Sequence, residues 1–261
     1  MRKKNLTCFI MILFLSTVFI QLGETNQAID ENTITVDDEP GDADYTSIKE
    51  AINNSKSGDI IEVYSGTYEE DDINIFISNL TLKGIPNELG EGNDTGKPLI
   101  NATGLKDVFL IHVNDVTITG FEIETSSNSA IVIYSEGNVI NENTIKTVEG
   151  VCILINGTVS DSKKNGVIFN SFINENFTTA YGVFLNKTNS NVIMYNNFLV
   201  KTDAYFINSF KTIWLFNYWQ NPRILPKPIS GKLIFFKEIF PITIPWLNID
   251  WRPALEPFNF T

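Results

Sequence analysis

The chain has 261 residues, 43% of them apolar, with 31 acidic against 19 basic side chains and a formal charge of −12. That length and apolar content suffice for one domain with a sizeable core, and no linker-like shift in composition divides it. The acidic excess argues against nucleic acid as a partner, because a phosphate backbone selects basic surfaces.

Arg2, Lys3 and Lys4 precede an apolar run from Phe9 to Ile20, the charge order and length of a secretory leader. Residues 1–23 are therefore expected to be a signal peptide, and the protein to be exported to the extracellular space or the cell surface. An uncleaved anchor is the alternative, although the run is short for a full membrane span. Without the leader 16 basic residues face 31 acidic ones, a formal charge of −15, and Cys152 is the only cysteine. An intramolecular disulfide is then impossible, and Cys152, between Val151 and Ile153, reads as a buried, inert thiol. Charge is uneven along the chain: 17 acidic and 4 basic residues from Asp30 to Ile100, against 4 acidic and 7 basic from Lys201 to Thr261.

The segment from Ile34 to Glu70 opens with an acidic run, Asp37, Asp38, Glu39, Asp42 and Asp44. Carboxylates this dense could gather a hard cation such as calcium, although they lack a calcium-loop spacing, and a solvated acidic cap is the plainer reading. Tyr45, Ile48, Ala51 and Ile52 then share one face at helical spacing, with Ser47 and Glu50 at capping-box separation. A short helix here would cover the open end of an apolar core.

The next part of the chain is a repeat. NVINENTI from Asn138, NGVIFNSF from Asn165, NVIMYNNF from Asn191 and TIWLFNYW from Thr212 are variants of one phrase, with fainter copies from Asn79 and Asp115. Its sixth position marks Gly84, Gly120, Asn143, Asn170, Asn196 and Asn217, the last four intervals being 23, 27, 26 and 21 residues. Such a period marks a repeat architecture. Each phrase is β-rich and ends on Gly or Asn, the residues that enter a left-handed turn at least cost. Second strands lie between the phrases, at VFLI, AIVI, GVCILI, GVFL and AYFI. Short strands without helical pattern, about 24 residues per coil, predict a parallel solenoid whose coils stack about 4.8 Å apart. Two positions past the marker, Ile145, Phe172, Phe198 and Trp219 should form an apolar ladder. The third position of the phrases, Thr81 and Thr117 and then Ile140, Val167, Ile193 and Trp214, is expected to face outward as an apolar strip.

Beyond Trp219 the composition changes: seven of the ten prolines lie between Pro222 and Pro257, among many aromatics. Proline at this density excludes a long helix or a central strand. Residues 220–261 are expected to fold back as a cap on the last coil and on the strip, with Trp246 and Trp251 largely buried. No transmembrane span is expected in the mature chain.

GDIIEV from Gly58, GTYEE from Gly66 and the closing Asn217-Tyr218-Trp219 resemble the pectin-lyase-like right-handed β-helix superfamily, especially its copper-accessory and carbohydrate-binding repeats. The resemblance covers roughly residues 34–219. It implies an all-β fold, a single-stranded right-handed parallel β-helix over residues 30–219 with a short N-terminal cap helix and a Pro- and aromatic-rich C-terminal cap. It implies little about activity, since one fold hosts many functions.

The enzymes of that superfamily act on polysaccharides, and their catalytic sets are missing. The only arginines after the leader are Arg223 and Arg252, beyond the last coil, and the sole histidine, His112, lies in LIHVND. Glu122 and Glu124, alternating with Phe121 and Ile123, would project from one face roughly 7 Å apart, within the range of an inverting glycosidase pair; outward acidic residues on a solvated strand are the plainer reading. Soft copper ligands would have to be Cys152, Met194 and His112, which fall on different coils. Asn-x-Ser/Thr sequons begin at Asn53, Asn79, Asn93, Asn101, Asn156, Asn176, Asn186 and Asn259, as suits a secreted glycoprotein. The insertion from Pro86 to Pro98 is the loop best placed for a specific contact. Together these features predict an exported, non-catalytic surface or carbohydrate-binding protein that needs no cofactor and has a polysaccharide or cell-surface glycan as partner. The alternatives are a polysaccharide-active enzyme with an unrecognised site and a copper accessory protein.

Overall fold

Short runs of Val, Ile and Phe interrupted every few residues by turns cannot bury themselves alone, so each coil needs the next. The computed structural model describes residues 32–102, 104, 106–126, 128–157, 164–174, 180–235 and 241–260; the expected leader and Asn176 lie outside them. Within these residues the chain is a parallel β-solenoid of about seven turns with one short helix. Three strands per full coil stack into three columns. The first runs from Thr33–Val36 to Ile213–Leu215, the second from Thr67–Tyr68 to Tyr218–Trp219, and the third from Ile73–Ile75 through Thr202–Ile207 to Lys227–Phe235.

The expected ladder is present and longer than the clear repeats. Tyr68, Ile100, Ile123, Ile145, Phe172, Phe198 and Trp219 succeed one another in register and are all buried. Phe198 and Trp219 stack with ring centroids 4.3 Å apart.

The expected outer strip, by contrast, is core. Ile140, Val167, Ile193 and Trp214 stack in register beneath Leu82 and Ile118, and all are buried. Thr117 pairs with Val139, not with Ile140. The faint phrases thus stand one residue away from the register their glycines suggest, and a one-residue slip in a strand exchanges its two faces.

That slip also relocates the turn. Asn143, Asn170, Asn196 and Asn217 do form one column, but the left-handed residue is the one before each of them. Gly120, Glu142, Phe169, Tyr195 and Phe216 have φ of 84°, 58°, 59°, 57° and 58°. The asparagines are instead the buried clamps of the turn. The Asn196 Oδ1 accepts the Asn170 backbone N–H at 2.9 Å, and the Asn196 Nδ2 donates to the Val167 carbonyl at 2.8 Å. Asn143, Asn170 and Asn217 do the same for their neighbours. A second buried ladder, Asn138, Asn165 and Asn191, serves the preceding corner.

Both ends are covered. The cap helix, Ile48–Asn54, buries Ile48, Ala51 and Ile52 over the first coil. The Ser47 hydroxyl accepts from the Glu50 N–H, as expected of an N-cap, while the Glu70 carboxylate accepts from the Ile48 and Lys49 N–H groups at 2.9 and 3.0 Å. At the other end, Lys227–Phe235 and Ile242–Asp250 form an antiparallel hairpin. Its first strand extends the third column at Phe206↔Gly231, and its second meets the first column at Trp214↔Asp250.

The tail therefore contains two nine-residue strands, contrary to the expectation from its prolines. Pro228 and Pro245 sit opposite Ile249 and Lys232 in the hairpin, and neither is among the pairs with the third column, so their missing N–H groups interrupt no parallel ladder. Trp246 and Trp251 also depart from expectation, at 48% and 65% exposed. The hairpin closes the end with buried Ile229, Leu233 and Asp250, while Phe258 and Phe260 run back along the side, edge-on against Tyr195 and Phe169 of successive coils.

Candidate functional site

Glu122 and Glu124 lie side by side on the second column, facing Thr144 and Lys146 of the next coil. The Lys146 ammonium bridges them, contacting the Glu122 Oε1 and, at 2.9 Å, the Glu124 Oε1. The hydrogen bond that Lys146 donates to Glu122, opposed by burial and reinforced by Glu124, holds its ammonium above the ordinary lysine range. Lys97 comes from the Pro86–Pro98 insertion and donates to the Glu142 carbonyl at 2.7 Å. Burial lowers its pKa, with Glu142 and Glu122 opposing. Both glutamates are thus paired with one cation, Lys146.

The acidic run divides. The Asp44 Oδ2 accepts from the Thr35 backbone and hydroxyl, both at 2.9 Å, and the Asp42 Oδ2 accepts from the Glu91 N–H at 3.0 Å. Asp37, Asp38 and Glu39 instead converge, with one carboxylate oxygen of each within 4.8 Å of the others. Glu39 also belongs to a second group, with Glu88 and Asp94, which the insertion delivers. Their sequence distance from the cap hides both residues, whereas the insertion itself is legible as a contact loop. Burial first, then repulsion from Glu88, Asp38, Asp42 and Asp94, pushes the Asp37 carboxyl up to about 6. Glu39 is pushed up to about 7, first by the neighbouring Asp38 carboxylate, to which a protonated Glu39 would hydrogen-bond, then by burial and further repulsion.

A third feature has no counterpart in the sequence reading. On the outer side of the third column, Tyr181, Phe184 and Tyr205 form a cluster with centroids 5.7, 5.8 and 6.2 Å apart. All three are half-buried, and Phe184 and Tyr205 are adjacent in register with Leu154 above them. Beside them the Asn186 Nδ2 donates to the Asn156 Oδ1 at 2.8 Å. The one signal in the sequence is the apolar residue at both parities of GVFL and AYFI, which also suits a strand buried on both faces. Further up the column Phe76, His112 and Tyr134 stack at 4.6 and 5.2 Å, and the His112 Nε2 lies 3.0 Å from the Asn74 Oδ1.

No protein-family model matches this chain, and no curated protein matches it either.

The soft-ligand residues stay apart. Cys152 is inside the third column, with burial pushing its thiol well up, Met194 lies on the first column, and His112 is held in its aromatic stack. Of the sequon asparagines, Asn53, Asn79, Asn93 and Asn259 are exposed. Asn101, Asn156 and Asn186 are half-buried with their amides hydrogen-bonded. Among the described residues no helix is long and apolar enough to cross a membrane.

Proposed function

We propose that this is an exported, non-catalytic surface protein of the pectin-lyase-like type that binds an extended polysaccharide along the outer face of its third strand column. The observation that carries this reading is the Tyr181, Phe184 and Tyr205 cluster beside the Asn156–Asn186 amide pair. A sugar ring presents an apolar C–H face and a rim of hydroxyls, which flat aromatic surfaces and side-chain amides complement. Tyr181 and Phe184 stack at 29°, while Tyr205 is tilted by 51° and 59° to them, so the three rings make one continuous aromatic patch. The commitment of Glu122 and Glu124 to Lys146 supports binding without turnover.

The test is a glycan array and a polysaccharide panel, assayed both for binding and for reducing-end or unsaturated products. Binding that falls at least about tenfold in Phe184→Ala and Tyr205→Ala, without product release, is expected. Turnover abolished by Glu122→Gln would replace this reading with the enzymatic one; binding unaltered by both aromatic substitutions would remove the site.

A further inference from the structure

Asp37 is fully buried, and neither of its carboxylate oxygens has a hydrogen-bond partner. A buried charge in that condition is among the costliest arrangements a fold can hold, and it calls for a counter-charge. The Asp38 Oδ1 and Glu39 Oε2 beside it are unpartnered too. No lysine or arginine pairs with Asp37, Asp38, Glu39, Glu88 or Asp94 among the described residues.

The surrounding backbone holds the group in place. The Thr67 N–H fixes the Asp38 Oδ2 at 2.9 Å, and a Cβ on Gly66 would collide with the Asp38 Oδ1, so only glycine admits that carboxylate. The Glu88 Oε1 and Oε2 accept from the Leu89 and Asp94 N–H groups at 3.1 and 2.8 Å. The Asn87 carbonyl, accepting from the Ser65 N–H at 3.1 Å, ties the insertion to the cap.

We propose that Asp37, Asp38 and Glu39 of the cap, with Glu88 and Asp94 of the insertion, bind a calcium ion that fastens the Pro86–Pro98 loop to the first coil. The donors are all hard oxygens, which excludes a soft metal. Two carboxylate triads that share Glu39, Asp37–Asp38–Glu39 and Glu39–Glu88–Asp94, offer hard oxygens from two chain segments, which suit the irregular coordination of calcium better than the strict octahedron of magnesium, which keeps much of its water. The site is independent of the glycan-binding face and stands or falls apart from it.

The experiment uses the full chain, stripped with a chelator, and terbium as a luminescent calcium substitute that Tyr64 and Tyr68 of the cap can sensitise. We expect saturable luminescence at one ion per chain, displaced by calcium with a Kd of about 10⁻⁴ M or tighter and more weakly by magnesium. Calcium at about a hundredfold over Kd should raise Tm by roughly 5–10 °C and slow proteolysis between Glu91 and Gly96. Asp37→Asn should weaken terbium binding at least tenfold and, at the same calcium concentration, cut the calcium-dependent rise in Tm to about half or less. Asp94→Asn, on the exposed loop, should weaken binding without threatening the fold, and Glu149→Gln, far from the site, should change nothing. Luminescence that never saturates, or that survives both Asp37→Asn and Asp94→Asn, would overturn the proposal in favour of a diffuse acidic patch. No terbium binding at all would overturn it as well, leaving a proton shared between Glu39 and Asp38 as the device that relieves the charge.

Discussion

Asn143, Asn170, Asn196 and Asn217 each satisfy two backbone groups of the coil before them, a duty no apolar residue of the same size can perform. At Asn196 the groups are the Asn170 N–H and the Val167 C=O, both buried with the side chain. Asn196→Ala leaves both unpaired and opens a void, so a loss of about 2–4 kcal/mol is expected in urea denaturation. Asn93→Ala, on the exposed loop, should stay within about 0.5 kcal/mol. The left-handed residues ahead of the asparagines are a different matter. Phe169, Tyr195 and Phe216 are not residues that favour positive φ, and each should cost about 1–2 kcal/mol. Their rings stack at 5.2 and 5.1 Å and carry Phe258 and Phe260, a contact that opposes the strain. Asparagine is therefore legible as the repeat's signature but misleading as to its role, because the same residue favours both left-handed turns and buried backbone clamps.

The C-terminal hairpin is the element that ends the solenoid. Asp250, wholly buried, caps the asparagine ladder: its Oδ2 accepts from the Asn217 N–H and Nδ2 and from the Trp219 Nε1, and its Oδ1 from the Arg252 N–H. Removing one member of such a network leaves several buried donors unpaired, so Asp250→Ala should cost about 3–5 kcal/mol. Truncation after Trp219 should yield an aggregating product, because two strand columns would end in open edges over an uncovered core. A monomeric truncation product with unchanged Tm would show the hairpin to be dispensable. The same hairpin carries Lys227, which pairs with Asp203 at 2.6 Å and lies 5.5 Å from the Trp219 ring centroid. Burial raises the Asp203 pKa, with Lys227 opposing. In Lys227→Met that opposition is gone and the pKa rises further. A raised carboxyl contributes its stability fully below the unfolded value of about 4 and loses it as pH rises through the folded one. The urea-midpoint deficit of Lys227→Met relative to the parent should therefore be larger at pH 8 than at pH 5.

Over the whole fold, stability should be nearly additive in coils, since each coil contacts mainly its neighbours. Asn170 and Asn196 occupy equivalent places in adjacent coils, so excising residues 171–196 joins Asn170 to Asn197 in register. The shortened protein should fold with a urea m-value lower by about one-seventh. It should also lose glycan binding, because Tyr181 and Phe184 depart with the coil. An unfolded product would mean that the coils are not interchangeable parts. The acidic excess of the first half and the basic balance of the last sixty residues place opposite charge at the two ends of this fold, and the acidic end is where the carboxylates of the cap and the insertion gather.

The repeat length, the parallel stacking, the apolar ladder ending at Trp219 and the cap helix near Ser47 were determined by the sequence alone, because side-chain periodicity and local capping chemistry act over a few residues. Which parity of each phrase faces inward was decided by inter-coil register, where a slip of one residue costs nothing locally and exchanges the faces. The pairing of Glu39 with Glu88 and Asp94, the bridging of Glu122 and Glu124 by Lys146, and the assembly of Tyr181, Phe184 and Tyr205 were also decided only by the tertiary structure. Each joins residues from different coils or loops, and the distance between such residues is set by how the coils stack, a quantity that no local window of sequence contains.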